Sequence, residues 1–156
     1  MFRPLRRKKN EIGPEKAKKL LASARIGILA VNGDDGYPYA IPVNYYYDAE
    51  KGKIYFHGAR AGHKADALQK CGKVCFTVVG PETVRAEEWA PFVQSAVVFG
   101  CCRPVDDPAN ALIRQLAMKY YPNEEKAEEE ITASGNAVQM YEIEIAHISG
   151  KEVQER

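Results

Sequence analysis

The feature of this sequence that most constrains its fold is a succession of short β-type segments joined mainly by turns. Six segments are rich in β-branched and aromatic residues: 25–31, 37–47, 53–57, 73–79, 93–104 and 137–147. The first two are joined by Asn32-Gly-Asp-Asp-Gly36, whose residues tolerate the positive φ of a hairpin turn. A doubly wound parallel sheet needs a helix between most strands, which this chain lacks. We therefore predict a mainly β fold with α decoration, in which six antiparallel strands form a closed or nearly closed barrel.

Helices are predicted around this barrel at residues 14–24, 63–70 and 107–121. Pro14 suits the first position of a helix, and Ala17, Leu20 and Leu21 recur at helical spacing. Residues 124–130 hold five acids and one lysine, and we expect a solvated segment that is helical or loose. Residues 80–91 are polar and are expected to be irregular.

Charge and length limit the classes of protein to which this chain can belong. Its 156 residues suit one domain, predicted at 14–156 after a basic N-terminal arm at 1–13. The formal net charge is +1, which argues against a dedicated nucleic-acid binder. Residues 3–9 nevertheless carry five cations and no acid. This arm either is solvated or docks on a partner subunit or near an anionic ligand.

The cysteines give no sign of a metal or redox motif. They stand at positions 71, 75, 101 and 102, and no pair has CxxC spacing. Cys75 lies in an apolar run and is predicted to be a small buried residue. No apolar run approaches the roughly 18 residues of a membrane span. We expect a cytoplasmic protein that does not contact a membrane.

The segment from Lys53 to Leu68 carries the clearest chemical signal. An apolar strand leads through His57 and Gly58 into a small-residue loop, and a helix is predicted to begin near His63. Unpaired amides and the positive end of the helix dipole make such a helix start suitable for phosphate. His63 and Lys64 add donors and charge, and Gly58 and Gly62 permit close approach of the backbone.

This segment does not match a P-loop. A P-loop has four residues between its glycines, followed by Lys and then Ser or Thr for magnesium. Here three residues separate Gly58 from Gly62, and Ala65 follows Lys64. A phosphate held without metal fits better, although the glycines alone are also compatible with a simple strand-to-helix turn. His57 and His63 lack a third ligand at zinc spacing, so no metal site is predicted.

Residues 37–47 form a second candidate surface. Pro38 and Pro42 cannot donate to a sheet ladder, so they indicate a strand start, a bulge or an edge strand, and bulged strands often border ligands. The stretch Pro42-Val43-Asn44 can offer a flat apolar wall with free backbone groups to a planar ring. The alternative is that the aromatic residues here are core or dimer-interface residues. Trp89 and Phe92 are expected to cover a ligand or to plug the barrel.

These segments, in this order, resemble the pyridoxamine-phosphate-oxidase-like FMN-binding split barrels, and most of all their nitroimidazole-resistance (Nim-type) branch. Residues 35–45, 53–59 and Gly62-His-Lys64 carry the resemblance most clearly. The further matching segments are 2–8, 66–68, 73–76, 95–100 and 144–151. The resemblance implies a six-stranded split β-barrel and a homodimer with two FMN molecules at the subunit interface.

Site roles follow from the same resemblance. It implies that the backbone around Ile41, Pro42, Val43 and Asn44 lines the isoalloxazine. It implies that Gly58, Ala59, His63 and Lys64 hold the ribityl phosphate. His57 corresponds to the active-site histidine beside the flavin, and residues between Trp89 and Ser95 complete the pocket from the second subunit.

The implied function is an FMN-dependent oxidoreductase that reduces a small acceptor such as a nitroaromatic. His57 would position the acceptor or donate a proton. One alternative is a flavin- or haem-binding module of the same barrel without nitroreductase activity, because fold does not fix function. A more remote alternative is a barrel that binds single-stranded nucleic acid through aromatics and the basic arm.

Overall fold

A computed structural model of the chain describes residues 1–87 and 90–154. Nine strands are described: β1 (Glu11–Ile12), β2 (Gly27–Asn32), β3 (Pro38–Val43), β4 (Tyr46–Asp48), β5 (Lys53–Ala59), β6 (Lys73–Val79), β7 (Thr83–Arg85), β8 (Ala90–Val105) and β9 (Val138–Gln154). The helices are α1 (Pro14–Ser23), α2 (His63–Lys70), α3 (Ala111–Tyr120) and α4 (Glu124–Ser134). The chain is therefore mainly β with peripheral helices, as the sequence predicts.

The strands form one antiparallel sheet in the order β3-β2-β6-β8-β9-β5-β4, with β1 paired to β9 and β7 paired to β8. In the part of the chain that the structure describes, no ladder joins β3 to β4, so the sheet is open along this seam. The prediction of six strands is wrong in number: six longer strands are accompanied by β1, β4 and β7, each of two or three residues. Such short pairings leave almost no periodic signal in a sequence.

The predicted strand at 37–47 is in fact two strands. β3 pairs only with β2, and its edge position accommodates Pro38 and Pro42 as expected. After Val43 the chain crosses to the other side of the open seam, and β4 pairs with β5. Tyr45 marks the crossing: its ring is buried, its N–H donates to the Tyr120 hydroxyl at 2.9 Å, and its own hydroxyl donates to the Leu21 carbonyl.

The interior of the curved sheet is filled by apolar side chains from most strands, together with α1 and α2. Leu29, Phe56, Phe76 and Ile143 are fully buried in this main core. Helices α3 and α4 instead pack on the other face of β5 and β9, around Tyr55 and Met140. Strand β5 is consequently covered on both faces, because its alternate side chains point to different cores.

The two segments between residues 107 and 134 differ from the sequence prediction at their boundaries. Helix α3 begins at Ala111 rather than near Asp107, because the Asp107 carboxylate accepts the N–H groups of Leu112 and Ile113 from outside the helix. The acidic segment is helical as α4, capped by Asn123, whose side chain accepts from the Lys126 N–H. Its polar residues face solvent, while Ala127 and Ile131 are buried.

The outer face of β2, β6 and β8 is apolar and exposed. Ile28 and Phe99 are each 39% exposed, and Val79 is 57% exposed. Phe2 of the N-terminal arm stacks on Phe99 with ring centroids 5.5 Å apart. Cys75 also belongs to this outward set and is only half-buried, so its prediction as a buried residue is wrong.

None of the described helices is long and apolar enough to cross a membrane.

Candidate functional site

The predicted strand–loop–helix is present, and it depends on one glycine. Strand β5 ends at Ala59 and α2 begins at His63. Gly62 precedes the helix with φ of 122° and ψ of 178°, a conformation that side-chain-bearing residues rarely adopt. The first amides of α2 have no intrahelical partner, so the turn presents donors and the positive end of the helix dipole at the end of β5.

Lys64 brings a positive charge to this turn. A Cβ at Gly58 would lie 2.7 Å from the Lys64 Nζ, so the absence of a side chain at Gly58 makes room for the ammonium group. The same Nζ lies 5.5 Å from the centroid of the Phe56 ring. Among the described residues, no carboxylate or hydrogen-bond acceptor is paired with it. Burial lowers the pKa of Lys64, and an anionic ligand would offset this desolvation.

His63 contacts a different part of the molecule. Its ring stacks on Tyr39 with centroids 4.1 Å apart, and its Nε2 lies 3.7 Å from an Asp34 carboxylate oxygen. His63 therefore packs against the β2–β3 hairpin, while Lys64 lies over β5. Both begin α2, as the sequence predicts, but only Lys64 is without a polar partner in the described structure. The predicted phosphate contact of Ala59 can come from its backbone, because its side chain is a methyl group.

His57 lies on the face of β5 that is opposite to the Lys64 contact. It alternates with the inward-facing Phe56 and shares its face with Tyr55. Its imidazole borders a cavity of about 170 Å³ between the sheet and the helix pair α3–α4. Although His57 is exposed at this cavity, desolvation by nearby protein atoms lowers its pKa, and the Lys64 charge lowers it further. The imidazole is therefore mainly neutral at pH 7.

The residues that are predicted to line the isoalloxazine lie in three different environments. Ile41 and Val43 pack against the main core, and Pro42 faces outward and is exposed. Asn44 borders the same cavity as His57, and its Nδ2 donates to the Arg25 carbonyl at 3.3 Å. The structure thus brings together Asn44 and His57, which are distant in sequence. The edge position of β3 leaves backbone groups without a strand partner in the described structure.

Ser95 does not join this cluster within one chain. Ser95 pairs with Val79 and Lys151, whereas Val105, ten residues further along β8, pairs with Met140, the partner of His57. At about 3.3 Å per residue, Ser95 is roughly 30 Å from that end of the strand. Its expected role therefore requires a second copy of the chain and stays a prediction. Trp89 lies outside the described residues.

Sequence reasoning missed that the end of α3 borders this site. The Tyr120 hydroxyl donates to the Arg25 carbonyl at 2.7 Å, and the Lys119 Nζ donates to the Ala24 and Tyr45 carbonyls at 2.6 and 3.1 Å. These bonds fix α3 beside Asn44. Burial, together with the nearby Arg25 charge, lowers the pKa of Lys119 to about 8. The apolar spacing of the helix could indicate only burial, not a cavity wall.

The Lys64 charge lowers the pKa of His57, and a titration can test this effect. The pKa of His57 should lie below its usual value and should rise in Lys64→Gln, because that change removes the charge that opposes protonation. Lys64→Arg should keep it low. A folded-state pKa below the unfolded value also means that His57 costs stability as the pH falls below that unfolded value. NMR titration of the imidazole protons measures the shift, and equal pKa values in both variants would contradict the coupling.

Comparisons with known proteins agree with this architecture. The family model described as pyridoxamine 5'-phosphate oxidase matches residues 14–152. A search of curated proteins found no match.

Several solved structures share the fold. A candidate 5-nitroimidazole antibiotic resistance protein from Bacteroides thetaiotaomicron has a TM-score of 0.76 at 16% identity, over 92% of this chain and 87% of that one. A conserved hypothetical protein from Mycobacterium tuberculosis has a TM-score of 0.77 at 18% identity, over 95% and 90%. An FAD-binding protein from Mesorhizobium loti has a TM-score of 0.66 at 20% identity, over 92% and 96%.

Proposed function

The chain belongs to the pyridoxamine 5'-phosphate oxidase family, and on this basis we propose that it is an FMN-binding oxidoreductase that reduces a small acceptor such as a nitroaromatic. The observation that carries the proposal is the half-buried Lys64 ammonium, which lies over Gly58 without a polar partner among the described residues. It stands in the first turn of α2, where free amides already favour an anion. A ribityl phosphate has the charge and the acceptor oxygens that this turn lacks.

The residues at this turn fit the phosphate of a flavin. The Lys64 ammonium can donate to the phosphate oxygens, and the amides after Gly62 can donate along the helix axis. Gly58 lets the phosphate and the lysine approach the backbone closely. The flavin, when bound, supplies the electron transfer; the protein supplies orientation and electrostatics.

In this proposal, His57 and Asn44 form hydrogen bonds with the acceptor. A neutral imidazole carries one N–H donor and one acceptor nitrogen, so His57 can hold a polar group of the acceptor. The minority of His57 that is protonated can also pass its proton to an acceptor that has become more basic, and it regains that proton from solvent. The Asn44 amide has a further N–H and a carbonyl oxygen available to the same cavity, since only one of its bonds, to Arg25, is made within the described chain.

We also propose that the protein acts as a homodimer. The support is the exposed apolar face of β2, β6 and β8, on which Ile28, Val79 and Phe99 stand without cover from the described helices. Contiguous exposed apolar surface of this kind is typical of protein interfaces. Ser95 lies on β8, as Phe99 does. A second copy of the chain bound at this face could therefore bring its Ser95 toward the flavin of the first. One structure with the same fold is described as an FAD-binding protein, so the mass of the bound flavin has to be measured.

The bound cofactor can be identified directly. Heating the purified protein should release a compound with the mass of FMN rather than of FAD. His57→Ala should retain it but should reduce a nitroimidazole at least about a hundredfold more slowly, since positioned acid–base groups contribute about 10²–10⁴-fold. Lys16→Arg, on the exposed side of α1 and still charged, serves as the control for folding. A colourless protein, or unchanged turnover in His57→Ala, would contradict the proposal.

The absorbance spectrum of the same purified protein distinguishes a haem-binding module from a flavoprotein. A Soret band in place of flavin absorbance would identify it, because the absorbance belongs to the cofactor itself. Flavin absorbance with no turnover of any nitroaromatic would instead identify a flavin-binding module without nitroreductase activity.

A further inference from the structure

The two parts of the proposed flavin site lie at opposite ends of the sheet. Strand β3, which carries the predicted isoalloxazine wall, is the first strand of the sheet order, and β5, which leads into the phosphate turn, is the last but one. Among the described residues no ladder joins β3 to β4 or to β5, so backbone hydrogen bonds do not fix the separation of the two parts. A ligand that touches both parts needs side chains to fix that separation.

The ring of His63 connects the two parts across the open seam. His63 is the first residue of α2, and its imidazole stacks on Tyr39 of β3 with centroids 4.1 Å apart and 21° between the ring planes. Tyr39 in turn packs against the main core. A Cβ at Gly33 would lie 3.1 Å from the Tyr39 Cβ and 3.4 Å from the His63 Nε2, so both side chains pack closely against this glycine. The start of α2 is therefore held against the β2–β3 hairpin.

The polar contacts of His63 are weaker than its ring contact. Asp34, in the hairpin turn, lies 3.7 Å from the His63 Nε2 and 3.4 Å from the Lys70 Nζ at the other end of α2. The Asp34 carboxylate and the Lys70 side chain are mostly exposed, and exposed ion pairs contribute little. Aromatic pairs gain from their geometry in addition to the area that they bury. A phosphate beside the Nε2 would also lie beside the Asp34 carboxylate, and like charges repel at such distances.

We propose that His63 is a positioning residue, whose stack on Tyr39 fixes the phosphate turn relative to the edge of β3 so that one FMN molecule can use its phosphate contacts and its ring contacts together. The inference rests on the proposed FMN site. Contacts made by two linked groups reinforce each other only when the spacing of the two sites matches the linker. This role differs from the direct phosphate contact that the family resemblance implies for His63, and it leaves that contact to Lys64 and the helix amides.

The test compares two ligands that differ only in the phosphate. The apoprotein is titrated with FMN and with riboflavin, and the dissociation constant of riboflavin is divided by that of FMN. His63→Ala should lower this ratio roughly two- to tenfold, the range that an aromatic pair contributes. His63→Phe, which keeps a ring on Tyr39, should restore the ratio. General destabilisation of the protein weakens both flavins alike and leaves the ratio unchanged.

A change on the other side of the stack supplies a second test. Tyr39→Leu should lower the ratio as much as His63→Ala does, although Tyr39 lies outside the phosphate turn. Because both changes remove the same contact, the double variant should lower the ratio no further. Tyr37→Leu makes the same change at a position of the hairpin that is 76% exposed, and it should leave the ratio unchanged.

The outcomes separate this inference from the proposed function. A loss in His63→Ala that His63→Phe does not restore would show that the imidazole contacts the phosphate, and it would overturn the inference alone. An unchanged ratio in His63→Ala would also overturn the inference and leave the FMN site in place. A wild-type ratio close to one would refute the phosphate site of the proposed function, and the inference would fail with it.

Discussion

Replacement of Lys64 by alanine should weaken FMN binding by roughly ten- to a hundredfold, because hydrogen bonds to charged groups contribute about 1.5–3 kcal/mol. The ammonium group that is lost has no polar partner in the described part of the apoprotein, so no internal ion pair is broken in exchange. Titration of the apoprotein with FMN, followed by quenching of flavin fluorescence, measures the affinity. Lys70→Ala is the matched control, since Lys70 stands at the other end of α2, 3.4 Å from an Asp34 carboxylate oxygen and exposed.

Riboflavin separates a phosphate contact from a general disturbance of the site. It has the isoalloxazine and the ribityl chain of FMN without the phosphate, so its affinity should be nearly the same in the wild-type protein and in Lys64→Ala. If both flavins lose affinity equally, Lys64 contacts the ring or supports the fold, and the phosphate assignment is wrong. If neither loses affinity, the anion site at α2 is not used.

Replacement of Phe76 by alanine should lower the free energy of unfolding by about 3–5 kcal/mol, the usual cost of removing a large buried aromatic ring. Phe76 is fully buried, and its ring meets that of Tyr45 edge-on with centroids 4.9 Å apart. A Cβ at Gly27 would lie only 2.0 Å from the Phe76 Cζ, so the ring occupies the space that this glycine leaves open. The alanine variant would leave a cavity between β2, β6 and the crossing at Tyr45.

Urea denaturation measures this loss, with an unchanged dependence on urea expected if only the native core is affected. At about 2–4 °C per kcal/mol for a chain of this size, the melting temperature should fall by roughly 6–20 °C. Tyr37→Ala removes an aromatic ring at a position that is 76% exposed, and it should cost well under half as much. Similar losses in the two variants would show that Phe76 does not occupy the centre of the core.

The parts of the site that lie close together in the chain were predictable. The strand, the small-residue loop and the helix between Lys53 and Lys70 follow from local signals, namely apolar alternation, glycine and the start of a helical pattern. Pro38 and Pro42 limited their strand to a strand start, a bulge or an edge, because neither has an N–H to donate, and the structure shows that β3 is an edge strand. Family membership rested on the order of the same motifs, and the family model confirms it.

The sequence by itself determined the mainly β architecture and the strand–loop–helix turn at Gly62, because both depend on hydrogen-bonding and side-chain patterns within a few residues. Only the tertiary structure decided that Asn44, His57 and Tyr120 border one cavity, and that His63 and Lys64, neighbours in sequence, contact different strands. The tertiary structure also decided the number of strands and the break between β3 and β4 at Tyr45. The physical reason is that these contacts depend on how strands are ordered across the sheet and on which face a helix packs, and local periodicity carries no information about either.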